Sequence, residues 1–142
     1  MRKAQSVEPH SMDEQAQDVL SIEQVVADAE RFQNEPENFS QLLTPDVVLV
    51  NVAGVRLIGR DEVYRAMKKA MMTPLANIIT KNEVGHLTFL RPDVALMSGT
   101  KRIFTKSETL LTEDAKARLT FVLVKNQEKW LIASIQNTPI LE

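Results

Sequence analysis

Side chains that could do chemistry are few in this sequence, and they fall late in it. The chain has two histidines. His10 sits in a polar opening segment, so His86, beside Gly85 in a β-like run, is the one imidazole within the folded region and would act as a general acid or base if it faced a cavity. Asn51 closes the apolar run Asp46-Val47-Val48-Leu49-Val50. An amide donates and accepts, so Asn51 in a pocket would orient a ligand oxygen. At a strand end the same side chain closes a turn on the backbone ahead of Ala53-Gly54. Gln136 and Asn137 are neighbours on a strand-like run, so at most one of them lines a cavity and the other suits a subunit contact. Lys101 and Arg102 alternate in the same way. An inward Arg102 would bind a carboxylate or enolate, and an outward one would sit in solvent. Trp130 opens the last strand-like run and reads as core or interface.

Much chemistry is excluded outright. Without cysteine there is no thiol nucleophile, thiolate zinc site, iron–sulfur cluster or redox pair. Two scattered histidines make no metal site, and no metal or cofactor is expected. Gly54-Val55-Arg56-Leu57-Ile58-Gly59-Arg60-Asp61 has the glycine spacing of a phosphate loop. Arg replaces its Lys, however, and the Asp61 carboxylate would repel phosphate. No GxGxxG follows a strand, and neither GxSxG nor HExxH occurs. Seventeen Lys and Arg against nineteen Asp and Glu leave a net charge of -2, so no positive field recommends nucleic acid or an anionic membrane surface as a partner. The opening residues lack the apolar stretch of an export signal, and no run is long enough to cross a bilayer, so a cytoplasmic location is expected.

The elements that must position these residues follow from periodicity. The 142 residues, 44% of them apolar, suit one domain, expected over 12–142 behind a loose tail at 1–11. Val19, Ile22, Val25, Val26, Ala29 and Phe32 form a helical stripe, with Ser11–Glu14 and Ser21–Gln24 as two candidate capping boxes at its start. Pro36 opens a short second helix. Asp46–Val52 and Val55–Ile58 read as a hairpin, and Asp61 as the N-cap of a third helix carrying Val63, Met67, Ala70 and Met71. Four strands near 76–90, 94–105, 116–125 and 129–138 then form a meander, with a polar loop around Lys106–Asp114. Helices followed by strands predict an α+β fold with the helices on one face of the sheet. The strands are apolar on both parities, which predicts a homodimer through the outer sheet face.

Leu42-Leu43-Thr44-Pro45-Asp46-Val47-Val48-Leu49-Val50, leading by a hairpin to Gly59-Arg60-Asp61, resembles the nuclear transport factor 2-like (SnoaL-like, ketosteroid isomerase-like) superfamily. So does the ending Trp130-Leu131-Ile132-Ala133-Ser134-Ile135-Gln136-Asn137-Thr138. That ending and Phe89-Leu90-Arg91-Pro92-Asp93-Val94-Ala95 look closest to its SgcJ/EcaC branch. The resemblance implies a cone with three N-terminal helices on a curved, mainly antiparallel six-stranded sheet. The isomerases' base falls five residues after the acid that opens the first strand, which here is Asn51 and holds no usable proton acceptor. Their oxyanion hole takes a Tyr from the first helix, absent here, and a late Asp whose place falls at Thr120. The resemblance therefore implies a small hydrophobic molecule of polyketide or terpenoid type in the cone, held by Asn51, Thr120, Gln136 or Asn137 and Arg102, with His86 as proton shuttle. Cofactor-independent acid/base chemistry is one use of such a site; a ligand carrier or dimeric interaction module is the other.

Overall fold

The computed structural model describes residues 11–105 and 115–141, so His10, most of the expected tail and the loop at 106–114 lie outside the described residues. Helix α1 spans Met12–Arg31. Ser11 Oγ accepts from Glu14 N–H at 3.0 Å, and Ser11 N–H donates to Glu14 Oε1 at 3.1 Å. The earlier capping box therefore starts the helix, and Ser21–Gln24 lies inside it. Pro36 opens α2, Pro36–Ser40. The hairpin is β1, Leu43–Val50, and β2, Arg56–Ile58. Asn51 Oδ1 closes the turn between them by accepting from Ala53 N–H at 2.9 Å and Val55 N–H at 3.0 Å.

Helix α3 covers Arg60–Ala70 and is capped by Gly59, not by Asp61 as the sequence suggests. Gly59 has φ +95°, a conformation open to glycine that turns β2 straight into the helix. Asp61 and Glu62 move into the first turn, where Glu62 Oε1 accepts from Ile58 N–H at 3.0 Å. The long strands are β3 (Ile78–Arg91), β4 (Val94–Thr105), β5 (Lys116–Asn126) and β6 (Lys129–Pro139). The six strands lie in the order β2-β1-β6-β5-β4-β3. Every neighbouring pair is antiparallel except β1 and β6, which run parallel. Strand β1 starts three residues earlier than its apolar run suggests. Pro45, which has no N–H to give a ladder, sits where the β1–β6 register shifts between Leu43 and Val48.

Strand parity assigns two faces. Val47 on β1, Ala95 and Met97 on β4, Leu119, Phe121 and Leu123 on β5, and Trp130, Ile132 and Ile135 on β6 form one buried cluster with Ile22, Val26 and Ala29 of α1 and Val63 of α3. The helices thus cover the inner face. A register shift between Val84 and His86 sets Gly85 apart from the ladder, and such a bulge bends the sheet over its contents. Gly99, across from Val84, lets the two strands meet there: a Cβ on Gly99 would run into the Glu83 carbonyl oxygen. No described helix is long and apolar enough to cross a membrane.

The most polar part of the core lies where α1 meets the sheet. Asp18, buried, accepts from Trp130 Nε1–H at 3.0 Å and pairs with Lys125 Nζ at 3.0 Å. Trp130 also meets Phe89 edge to face, with ring centroids 6.0 Å apart. Trp130 is therefore core, as one of its two readings had it, and Met97 is core filler.

Candidate functional site

Between α1, α3 and the inner face lies a cavity of about 340 Å³. Its apolar wall comes from Leu49, Leu119, Phe121 and Ile135 on the sheet and from Met67 and Met71 at the end of α3. Gln33 and Asn34 from the turn after α1, Asn51, and Thr80 and Asn82 from β3 bring polar atoms to it, as do Lys101 from β4 and Asn137 from β6. A mainly apolar hollow with a few convergent polar groups is the usual character of a small-molecule site, and this volume falls at the small end of the roughly 300–1,000 Å³ such sites occupy.

The polar groups differ in how much of their bonding capacity is already used. Gln33 is fixed between two elements: its Nε2 donates to the Glu30 carbonyl at 2.7 Å and the Thr80 carbonyl at 2.9 Å, and its Oε1 accepts from Thr80 N–H at 2.6 Å. Asn51 has its carbonyl oxygen occupied by the hairpin turn while its side chain borders the cavity. The turn thus takes the acceptor, as the second of the two readings expects, and leaves the amide Nδ2 at the cavity edge. Asn137 is 6% exposed. Its Nδ2 donates to the Val50 carbonyl at 2.8 Å, which fixes the amide orientation and leaves Oδ1 buried without a partner. Asn82 Oδ1 is likewise buried and unpartnered.

Among the described residues, Lys101 is the only ionisable side chain that lines the cavity. It reaches the cavity because β4 turns its odd residues inward, on the face of Ala95 and Met97. Burial pushes its ammonium down to about 8.

Four of the expected site residues lie elsewhere. His86 pairs with Ser98, Ser98 with Thr120, and Thr120 with Gln136. The sheet therefore gathers His86, Thr120 and Gln136 into one polar row, but on the outer face, where His86 and Gln136 are exposed. Arg102 is also outward and meets Glu83 at 3.8 Å. The correction is one of parity: Leu119 and Phe121 take the inward places on β5, and Asn137, rather than Gln136, takes the inward place on β6. The sequence offers Arg102 as an inward ligand group or a solvent-facing one, and the structure gives the second, with Lys101 as its inward neighbour. The signal that separates them is registration with Met97 and Ala95, two inward apolar residues of the same parity as Lys101.

A family profile described as "SnoaL-like domain" matches residues 22–141. Among solved structures, a domain of unknown function with a cystatin-like fold from Nostoc punctiforme superposes with a TM-score of 0.79 at 19% identity, covering 94% of this chain and 81% of that one. An uncharacterised protein with a cystatin-like fold from Caulobacter vibrioides gives 0.74 at 22% identity, over 87% and 89% of the two chains. A Streptomyces avermitilis protein named "putative dehydratase from the NTF2-like family" gives 0.71 at 22% identity, over 89% and 99%. At these identities the likeness is one of fold. No curated protein matches the chain.

Proposed function

We propose that this chain, which belongs to the SnoaL-like domain family, binds a small, mainly apolar molecule of polyketide or terpenoid type in the inner-face cavity. The observation that carries this reading is Asn137 Oδ1. A buried acceptor without a partner costs about 1–3 kcal/mol, and a ligand hydroxyl or N–H delivered into the cavity removes that cost. The walls around it are apolar, so the bound molecule needs one such donor on a hydrophobic body. The SgcJ/EcaC branch is part of the same proposal and rests on the two segments that resemble it.

Binding, with no isomerase-type proton abstraction, is what the site residues favour. The position of the isomerases' base is Asn51, whose acceptor is engaged by the turn, and Thr120 lies on the outward parity of β5. Any proton transfer on a bound ligand would fall to Lys101, the only titratable lining residue among those described.

The test is affinity for 2-naphthol against naphthalene, one with a hydroxyl donor and one without, by fluorescence titration. Wild-type protein is expected to hold 2-naphthol about fivefold more tightly than naphthalene. Asn137→Leu is expected to erase that margin and keep naphthalene binding. Failure of both probes to bind, or a margin that survives the substitution, would overturn the reading.

The homodimer belongs to this proposal as well. On the outer face, Val48, Leu96, Val122, Val124 and Leu131 are only half-buried in the single chain, and the helices are packed on the other side. Light scattering on a gel-filtration peak at micromolar concentration is expected to give twice 16.0 kDa; 16.0 kDa itself would contradict the dimer.

A further inference from the structure

Lys101 is not absorbed by the reading above, which asks only for an apolar ligand with a hydrogen-bond donor. It projects from β4 into the cavity, and among the described residues its ammonium makes no ion pair or hydrogen bond. The other described lining residues, drawn from α1, α2, α3, β1, β3, β5, β6 and the segments between them, carry no titratable group. Across the ladder stands Asn82, whose backbone N–H is held by Glu30 of α1 through Oε1 at 2.6 Å. That carboxylate is directed to the backbone and is not paired with Lys101. Asn82 Oδ1 is itself unpartnered. Among the described residues the cavity therefore holds one cation, amide groups and the Thr80 hydroxyl, and no anion.

A cation set among apolar walls, with no counter-charge among the described residues, is completed by an anion brought by the ligand. We propose that Lys101 makes the cavity selective for ligands bearing one acidic oxygen, a carboxylate or an enol or phenol acidic enough to ionise, on the apolar body. This rests on the reading of the cavity as a ligand site and narrows its chemical class. Asn137 then meets a donor at one end of the molecule and Lys101 an oxyanion at the other. The lowered protonation point of the free lysine fits the same picture, because burial disfavours the charge that a bound oxyanion restores. Acid binding above about pH 8 therefore carries a proton onto Lys101.

The test uses 2-naphthoic acid and its near-isosteric neutral partner 2-naphthamide, by titration calorimetry on the full chain at pH 7 and pH 9. Wild-type protein is expected to prefer the acid by about tenfold at pH 7, the size of one charge-assisted hydrogen bond in a low-dielectric site. At pH 9 the acid is expected to show a binding enthalpy that varies with buffer ionisation enthalpy, reporting proton uptake; the amide should not. Lys101→Met is expected to abolish the preference and the proton uptake, and Lys101→Arg to keep the preference. Equal affinity of wild type for acid and amide, or a preference that persists in Lys101→Met, overturns this inference and leaves the cavity reading standing. Failure of both compounds to bind overturns the cavity reading.

Discussion

Replacing Lys101 with methionine is expected to stabilise the ligand-free protein by about 2–3 kcal/mol at pH 7, raising its melting temperature by about 10 °C. The ammonium of Lys101 falls from 10.5 to about 8 on folding, and at about 1.4 kcal/mol per pH unit that drop amounts to about 3 kcal/mol of charging cost. The sign follows from proton counting. Below pH 8 both folded and unfolded chains carry the charge, and the folded one bears the whole cost. Between about 8 and 10.5 the unfolded chain binds more protons than the folded one, so wild-type stability climbs with pH through that window. Methionine has similar length, no charge and a flexible stem suited to a cavity that Met67 and Met71 also line. Denaturant titrations at pH 7 and pH 10 check both statements: the gap between the two proteins should narrow at pH 10. A less stable Lys101→Met, or a gap that does not respond to pH, would show that the lysine is well solvated. A lysine that weakens the fold and bonds to nothing among the described residues fits the role proposed for it toward an acidic ligand.

The opposite sign is expected for Asp18→Ala, which should destabilise the protein by about 3 kcal/mol. Asp18 is 3% exposed and joins α1 to the sheet through Trp130 and Lys125. Removing it leaves the buried Trp130 Nε1–H without that acceptor, which costs about 1–3 kcal/mol. It also removes one partner of an ion pair whose carboxylate end is enclosed, a change that costs up to about 5 kcal/mol when the cation left behind is buried too. Lys125 keeps partial access to water, with 25% of its side chain exposed, so the total stays near the middle of that range. The hydrogen bond to Asp18, with its charge, raises the Lys125 ammonium above 10.5 against a smaller opposing effect of burial. A raised folded-state value contributes stability that is fully present below 10.5 and is lost as pH climbs through the higher folded value. The penalty of Asp18→Ala is therefore expected to be flat from pH 6 to 9 and to shrink above 10.5. Thermal unfolding of both proteins across that range measures it. A penalty under about 0.5 kcal/mol would mean that the network contributes no more than a surface pair.

These two residues show where sequence was legible and where it was not. Periodicity gave α1, α3 and the four long strands, because an apolar stripe or alternation reports the face that must be buried. It could not give Asp18, a charged residue on the buried side of α1, since its acceptance there depends on Trp130 arriving from 112 positions away in sequence. The same limit governed the site. Asn51 was found because a polar side chain stands out at the end of an apolar run. Thr120, Gln136 and Arg102 were placed by counting or by chemical appeal, and strands apolar on both parities gave no rule for which side faced the helices. The bulge at Gly85 and the β6 register shift near Ala133 then break the simple alternation that would carry parity from one end of a strand to the other. Lys101 was hidden for the same reason.

The central claim is that the ligand enters the inner-face cavity and meets Lys101 and Asn137. The direct test is a chemical-shift map of isotopically labelled protein titrated with 6-hydroxy-2-naphthoic acid, which carries an acid and a hydroxyl on one apolar frame. The largest saturable shifts are expected at Lys101, Asn137, Leu119 and Met71, with the outer row His86, Thr120 and Gln136 unmoved. Saturable shifts centred on that outer row, with the cavity residues unmoved, would contradict it.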